Sequence, residues 1–389
     1  MKRVMWLAAL AIIACGPWTA AGEESPGPVD GKAVSFKKSV LDTAFRSEGV
    51  AVGDFNNDGK LDIAAGTVYY AAPDWKMHLI GDKAPEFDPK NYSQSFQNFA
   101  EDLNGDGLTD LIVVEFPGVT SAWFEQPKTP GSRWKRHEIT KITNNESPLY
   151  EDVDGDGRRE LVCSVGEHYA LLRPQSDPYA PWSIQIISQA DANLARKYYH
   201  GLGVGDVNGD GRNDVLIAEG WWEAPADPKA EGPWKFHRVD FCPPCAHLVV
   251  YDYDGDGDND IISSSAHAYG IWLNEQTPEG FQRHEIDRTF SQTHAVCLAD
   301  INSDGKPDFV TGKRWWAHAK GDPGVDEPAV LHWFELKQEN GKARWVSHQI
   351  DHNSGVGTQF EVADVNGDGL LDIVVANKKG VFYFEQQRK

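Results

Sequence analysis

GDVNGDGRNDVLIAEG (Gly205–Gly220) is the stretch whose reading decides the fold. Carboxylate or amide oxygens recur at its loop positions 1, 3, 5 and 9, as Asp206, Asn208, Asp210 and Asp214. Gly211 at position 6 permits the sharp turn that lets those oxygens converge. The apolar run that follows, Val215–Ala218, is too short for a helix and reads as a buried strand. The pattern Asp-x-[Asn/Asp]-x-Asp-Gly-x-x-[Asp/Glu] occurs seven times, starting at Asp54, Asp102, Asp152, Asp206, Asp252, Asp300 and Asp364. The intervals are 48, 50, 54, 46, 48 and 64 residues, the last stretched by an insert around Lys320–Pro328.

Apolar runs flank each loop, so each loop reads as the tip of a hairpin. Two further strand signals follow. One is aromatic (Ala122-Trp123-Phe124, Ile271-Trp272-Leu273), and one begins with an aromatic and ends near a His (Trp134 to His137, Trp234 to His237). Four strands per repeat of about 50 residues predict an all-β, seven-bladed β-propeller. The last repeat supplies only three strands, ending at Phe384. The segment Val34–Val40 matches the missing fourth and is expected to close the ring.

Hard oxygen donors predict several calcium ions in these loops, with a plain Asx-turn as the alternative, above all in the first, whose middle is Asn56-Asn57. The expected ligands are Asp54, Asn56, Asp58 and Asp62; Asp102, Asn104, Asp106 and Asp110; Asp152, Asp154, Asp156 and Glu160; Asp206, Asn208, Asp210 and Asp214. The later repeats offer Asp252, Asp254, Asp256 and Asp260; Asp300, Asn302, Asp304 and Asp308; Asp364, Asn366, Asp368 and Asp372. An EF-hand is excluded, because position 12 holds residues such as Val113, Cys163 and Ile217 where Glu is required, and the flanks are strands. These units, above all Gly205–Gly220 and Ala363–Asn377, resemble FG-GAP/VCBS repeats, the blades of integrin-α-type propellers. That resemblance spans residues 34 to 386 and implies the fold and the calcium.

The net charge of −22 argues against nucleic acid as a partner. Residues 1–21 read as an export signal, with Lys2 and Arg3 before an apolar run too short to span a bilayer. Cleavage after Thr19-Ala20-Ala21 and lipidation of Cys15 at a lipobox-like Ile12–Cys15 are both open, so a lipid anchor is an alternative to release. Residues 22–33 read as a linker and 34–389 as the propeller. No other segment is long and apolar enough to span a membrane. Cys242-Pro-Pro-Cys245 is expected to form a short disulfide in an exported chain.

First strands line the axis of such a propeller, so the residues leading into them should ring one face. They are Glu48, Gln97, Glu146, His200, His247, His294 and Gln359, all polar. His200, His247 and His294 are expected to hold one transition metal, or one of them to act as a base with Glu48 or Glu146 as the acid. A solvated channel mouth is the alternative. Chain returning to the same face brings Trp221-Trp222, His267, Lys313-Arg314 and Trp315-Trp316. The tryptophans and His267 would bind sugar, and Lys313 and Arg314 would hold developing negative charge, unless the tryptophans simply pack the blades. The segment His294–Gly305 resembles the propeller of aldos-2-ulose dehydratases, which implies elimination of water from keto-sugars. The readings are an exported carbohydrate lyase or dehydratase acting on keto-sugars or uronates, a glycan- or protein-binding module, and a structural surface protein.

Overall fold

A computed structural model describes residues 34–388. The expected signal segment, the lipobox at Cys15 and the linker lie outside those residues. The described chain is all-β, with 28 strands and no helix. The strands form propeller-like sheets in which the strands of one repeat pair antiparallel in chain order. Five sheets have four strands and stand apart.

The expectation of seven separate blades needs correcting at one place. The repeats around Asp206 and Asp252 share one eight-stranded sheet. Their inner strands, Leu202–Gly205 and His247–Tyr251, pair in parallel through Leu202↔His247 and Gly203↔Leu248. Close approach is possible because Gly203 and Gly205 have no Cβ; one on Gly203 would meet the Leu248 carbonyl oxygen at 2.4 Å.

The strand Val34–Asp42 pairs antiparallel with Gly380–Arg388, from Val34↔Arg388 to Asp42↔Val381. The hydrophobic clusters mix neighbouring repeats. One joins the first repeat to the last, with Val52, Ile63 and Tyr70 against Val374 and Tyr383.

The loop sequence explains the hairpins. The position-1 carboxylate accepts the position-6 glycine N–H in every copy, for example Asp206 from Gly211 at 2.8 Å and Asp364 from Gly369 at 2.8 Å. That glycine has a positive φ each time (82° at Gly211), where other residues are strained. The position-9 carboxylate is buried and works as a clamp. Asp214 accepts the Val207 N–H at 2.9 Å and the Ala224 N–H at 2.8 Å, tying the loop to the end of the third strand. Asp62, Asp110, Asp260, Asp308 and Asp372 repeat the arrangement.

On the outer strands, His137, His237 and His348 stack on Trp123, Trp221 and Trp333, and each ring meets a third-strand glutamate. These histidines are part of the blade packing.

Candidate functional site

All seven residues leading into the first strands are buried, Glu48 completely and His200 to within 5% exposure. They do not form a wetted rim. Two of them meet on Arg314, which is itself fully buried. Its Nε donates to Glu48 Oε2 at 3.0 Å and one terminal nitrogen to Glu146 Oε1 at 2.8 Å. The other oxygen of Glu146 lies 3.0 Å from His200 Nδ1, off the line of a hydrogen bond. Burial pushes the Glu146 carboxyl up, but His200, Arg314 and His294 outweigh it and hold the group well below the usual range.

Glu146, His200, His294 and His318 each bring one ligand atom to within 4.8 Å of all the others. His294 donates its Nδ1 proton to the Gln292 carbonyl at 3.0 Å, which leaves a buried Nε2 with no hydrogen-bond partner. His318 Nδ1 meets Asp322 Oδ2 at 2.6 Å, and His267 Nδ1 meets the same oxygen at 3.2 Å. Carboxylates in that position fix the orientation of metal-binding imidazoles. Burial is the main cause pushing all three rings down, His294 well below its ordinary value and His318 to about 4, with Arg314 adding to both. For His267 the second cause is His200. Neutral imidazoles are the form that binds metal. The residues present therefore fit a divalent ion of the zinc, manganese or iron type.

The grouping differs from the one the sequence suggests. His247 stands outside it; its buried ring is bonded to the Val296 backbone and pushed down to about 4 by burial. Spacing accounts for this. Glu48, Glu146, His200 and His294 each precede the first loop aspartate by six residues, whereas Gln97, His247 and Gln359 precede it by five. In extended chain a one-residue shift turns a side chain to the opposite side. The place expected for His247 is taken by His318, from the insert between the sixth and seventh loops.

That insert is held to the body at several points. The Tyr92 hydroxyl donates to the Ala317 carbonyl at 2.9 Å, and Lys378 Nζ to the Trp316 carbonyl at 2.9 Å. Lys313 Nζ bonds the Gly324 carbonyl and lies 3.8 Å from Glu327. Lys313 is thus an anchor of the insert, with its side chain buried, and Arg314 is committed to two carboxylates. Neither is free to hold charge on a substrate.

Trp221 and Trp222 are buried, stacked on His237 and packed on Tyr169. They are packing residues. Trp315 and Trp316 are half-buried beside the insert, 5.8 Å apart, and Trp315 lines an open cleft. Cys242 and Cys245 are buried free cysteines rather than the expected disulfide.

In the loops, Asp152, Asp154 and Glu160 form one cluster of acidic oxygens, and Asp252, Asp254 and Asp260 another. These are the two copies with Asp at position 3; the others place an Asn amide there. Asn56 Oδ1 is buried without a partner at that position. Burial, with backbone hydrogen bonds opposing it, pushes the position-9 groups Asp62, Asp110 and Asp214 up to about 7. A cation would favour their charged form, and the two clusters at Asp152 and Asp252 are the loops whose oxygens converge in a way that fits calcium.

An FG-GAP-like repeat profile matches residues 102–163 and 252–311, and an FG-GAP repeat profile matches residues 48–71. No curated protein sequence matches the chain. Among solved structures, one of an Agrocybe aegerita lectin that recognises non-reducing terminal N-acetylglucosamine is 14% identical. Its TM-score is 0.46, over 83% of this chain and 82% of that one. The V. cholerae biofilm matrix protein Bap1 is 16% identical with a TM-score of 0.37, over 69% of this chain and 42% of its own. Likenesses this distant carry no inference about ligands. The chain carries FG-GAP repeats in a β-propeller arrangement.

Proposed function

We propose that this chain is an exported, calcium-stabilised propeller, sealed by the Val34–Asp42 strand, that performs a metal-assisted elimination on a keto-sugar or uronate. The observation that carries the reading is the convergence of Glu146, His200, His294 and His318, with an orphaned nitrogen on His294 and Asp322 behind His318. Those four residues would hold one transition-metal ion. Bound there, it would polarise a carbonyl and make the neighbouring C–H acidic.

The remaining roles fall to the chain's own groups. Arg314 is a positioning residue that fixes Glu146 against His200. His267 is the most exposed ring beside the cluster, and its Nδ1 is occupied by Asp322. Its Nε2 is therefore the atom assigned to take the substrate proton. The asparagine and aspartate loops would bind calcium and stiffen the hairpin tips.

The test is the metal content of the purified chain by elemental mass spectrometry, with His294→Ala, His318→Ala and His247→Ala alongside. Several calcium ions and about one transition-metal ion, the latter lost in the first two variants and kept in the third, are expected. Calcium alone in every sample overturns the metal centre and leaves a glycan-binding module.

A further inference from the structure

Apart from the axial cluster, a cleft of about 380 Å³ opens between the Val34–Asp42 strand, the insert and the last hairpin. Three lysines line it, Lys38, Lys378 and Lys379, in a chain whose net charge is −22. Lys38 is paired with Asp351 at 2.7 Å. Among the described residues, no carboxylate forms an ion pair with Lys378 or Lys379. Lys378 is buried, held by the Trp316 carbonyl and lying 4.4 Å over the Tyr92 ring. Burial pushes both ammonium groups down, Lys378 to about 8, and Lys38 repels Lys379 further. Glu48, Glu146 and Asp88 act on Lys378 and Asp351 on Lys379, but among the described residues neither ammonium has a carboxylate in ion-pair contact, and a bound anion would offset the crowding of Lys379 by Lys38.

The walls are aromatic. Lys379 Nζ rests 4.6 Å over the Trp315 ring, and Lys38 Nζ 4.7 Å over Phe382. Asn353 supplies a neutral amide at the margin. A half-exposed indole beside cations and an amide suits a pyranose: its apolar face lies on the ring, its hydroxyls meet the amide, and its anionic group meets the lysines.

We propose that this cleft is a binding site for an anionic saccharide, one carrying a carboxylate or sulfate ester, seated on Trp315 and held by Lys379. It shares the carbohydrate class of the function proposed above but not its metal. The same segment that supplies His318 to the axial cluster supplies Trp315 to the cleft.

The experiment is calorimetric titration of the full chain at low and high salt with trigalacturonate, a sulfated galactose oligosaccharide and neutral galactotriose. The variants are Lys379→Gln, Trp315→Ala and, as a contrast, His294→Ala. Binding of an anionic saccharide that weakens with salt, weakens about tenfold or more in Lys379→Gln and Trp315→Ala, and persists in His294→Ala is expected. Whether the carboxylated or the sulfated ligand binds then identifies the anion. Three results overturn the proposal: neutral galactotriose binding as tightly, no anionic saccharide binding at millimolar concentration, or binding unchanged in Lys379→Gln. Binding lost in His294→Ala but kept in Lys379→Gln also overturns it, and moves the ligand to the axial site. Lys379 is partly exposed, so its variant keeps the test intact should Trp315→Ala fail to fold.

Discussion

Replacing Arg314 with Met should destabilise the protein by about 3–5 kcal/mol, because it strands two carboxylates in the interior. Arg314 and Glu48 are fully buried, and Glu146 is 3% exposed. The methionine keeps much of the volume between Phe96 and Tyr92, whose rings flank the guanidinium at 5.6 and 5.7 Å, so the loss is chiefly one of charge. With an unfolding entropy of about 2.1 cal/mol/K per residue, each kcal/mol is worth a little over 1 °C in a domain this long, so the melting temperature should fall by about 4–7 °C. Thermal melts and urea midpoints would read it. Adding Glu48→Gln should restore about half of the loss, since the amide needs no counter-charge. The pH dependence is a second readout. Glu146 is depressed in the folded state, so its contribution is full above its ordinary value of 4.5 and is lost as the pH falls below that. Arg314→Met should shrink this acid-induced loss. A melting temperature within 1 °C of wild type would refute the reasoning, because it would mean the carboxylates are solvated or already neutral.

His247 lowers stability in acid for the opposite reason to a salt bridge. Its folded value of about 4 lies below the ordinary 6.5, so the unfolded chain takes up the proton first, and stability should fall by about 3 kcal/mol between pH 6.5 and 4. His247→Gln should flatten that part of the urea-midpoint profile. Asp214→Ala should cost about 2–6 kcal/mol by orphaning the Val207 and Ala224 N–H groups, with or without excess chelator. Asp206→Ala, whose bonds are exposed, should cost less than about 1 kcal/mol once chelator is present. Gly357→Ala should lower the unfolding free energy measured by urea titration by about 1–3 kcal/mol, since its Cβ would sit 1.8 Å from the Glu48 carbonyl oxygen and 2.4 Å from that of Ala376.

The repeat was legible because its signal is local. A loop that closes on its own glycine and caps its own strands leaves the same nine-residue trace wherever it occurs, as Asp206 and Asp364 both illustrate. The fusion of two repeats was not legible, since it depends on how closely the inner strands pass at Gly203. In the site, His200 and His294 could be found from their distance to the loop. His247 differs from them by one residue in that distance, a difference that decides which way the ring points and that polarity alone hides. His318 had no periodic signal. The single trace of it was the 64-residue interval, which marked an insert but not what the insert delivers. Trp221 and Trp315 look alike in sequence, each heading a Trp-Trp pair. One packs beneath His237 of its own repeat and the other borders a cleft whose walls come from both ends of the described chain, a distinction the Trp-Trp pair itself does not carry.

The pairing of Val34 with Arg388 puts the two ends of the described chain side by side. In an antiparallel ladder loaded from that end, tension falls on one hydrogen-bonded rung at a time, and the strand peels instead of shearing. If the polypeptide is tethered to a surface through the residues preceding Val34, a pull on the body would act on this ladder first. The outermost strand would then serve as a mechanical fuse, yielding at low force before the inner strands that carry the histidines are strained.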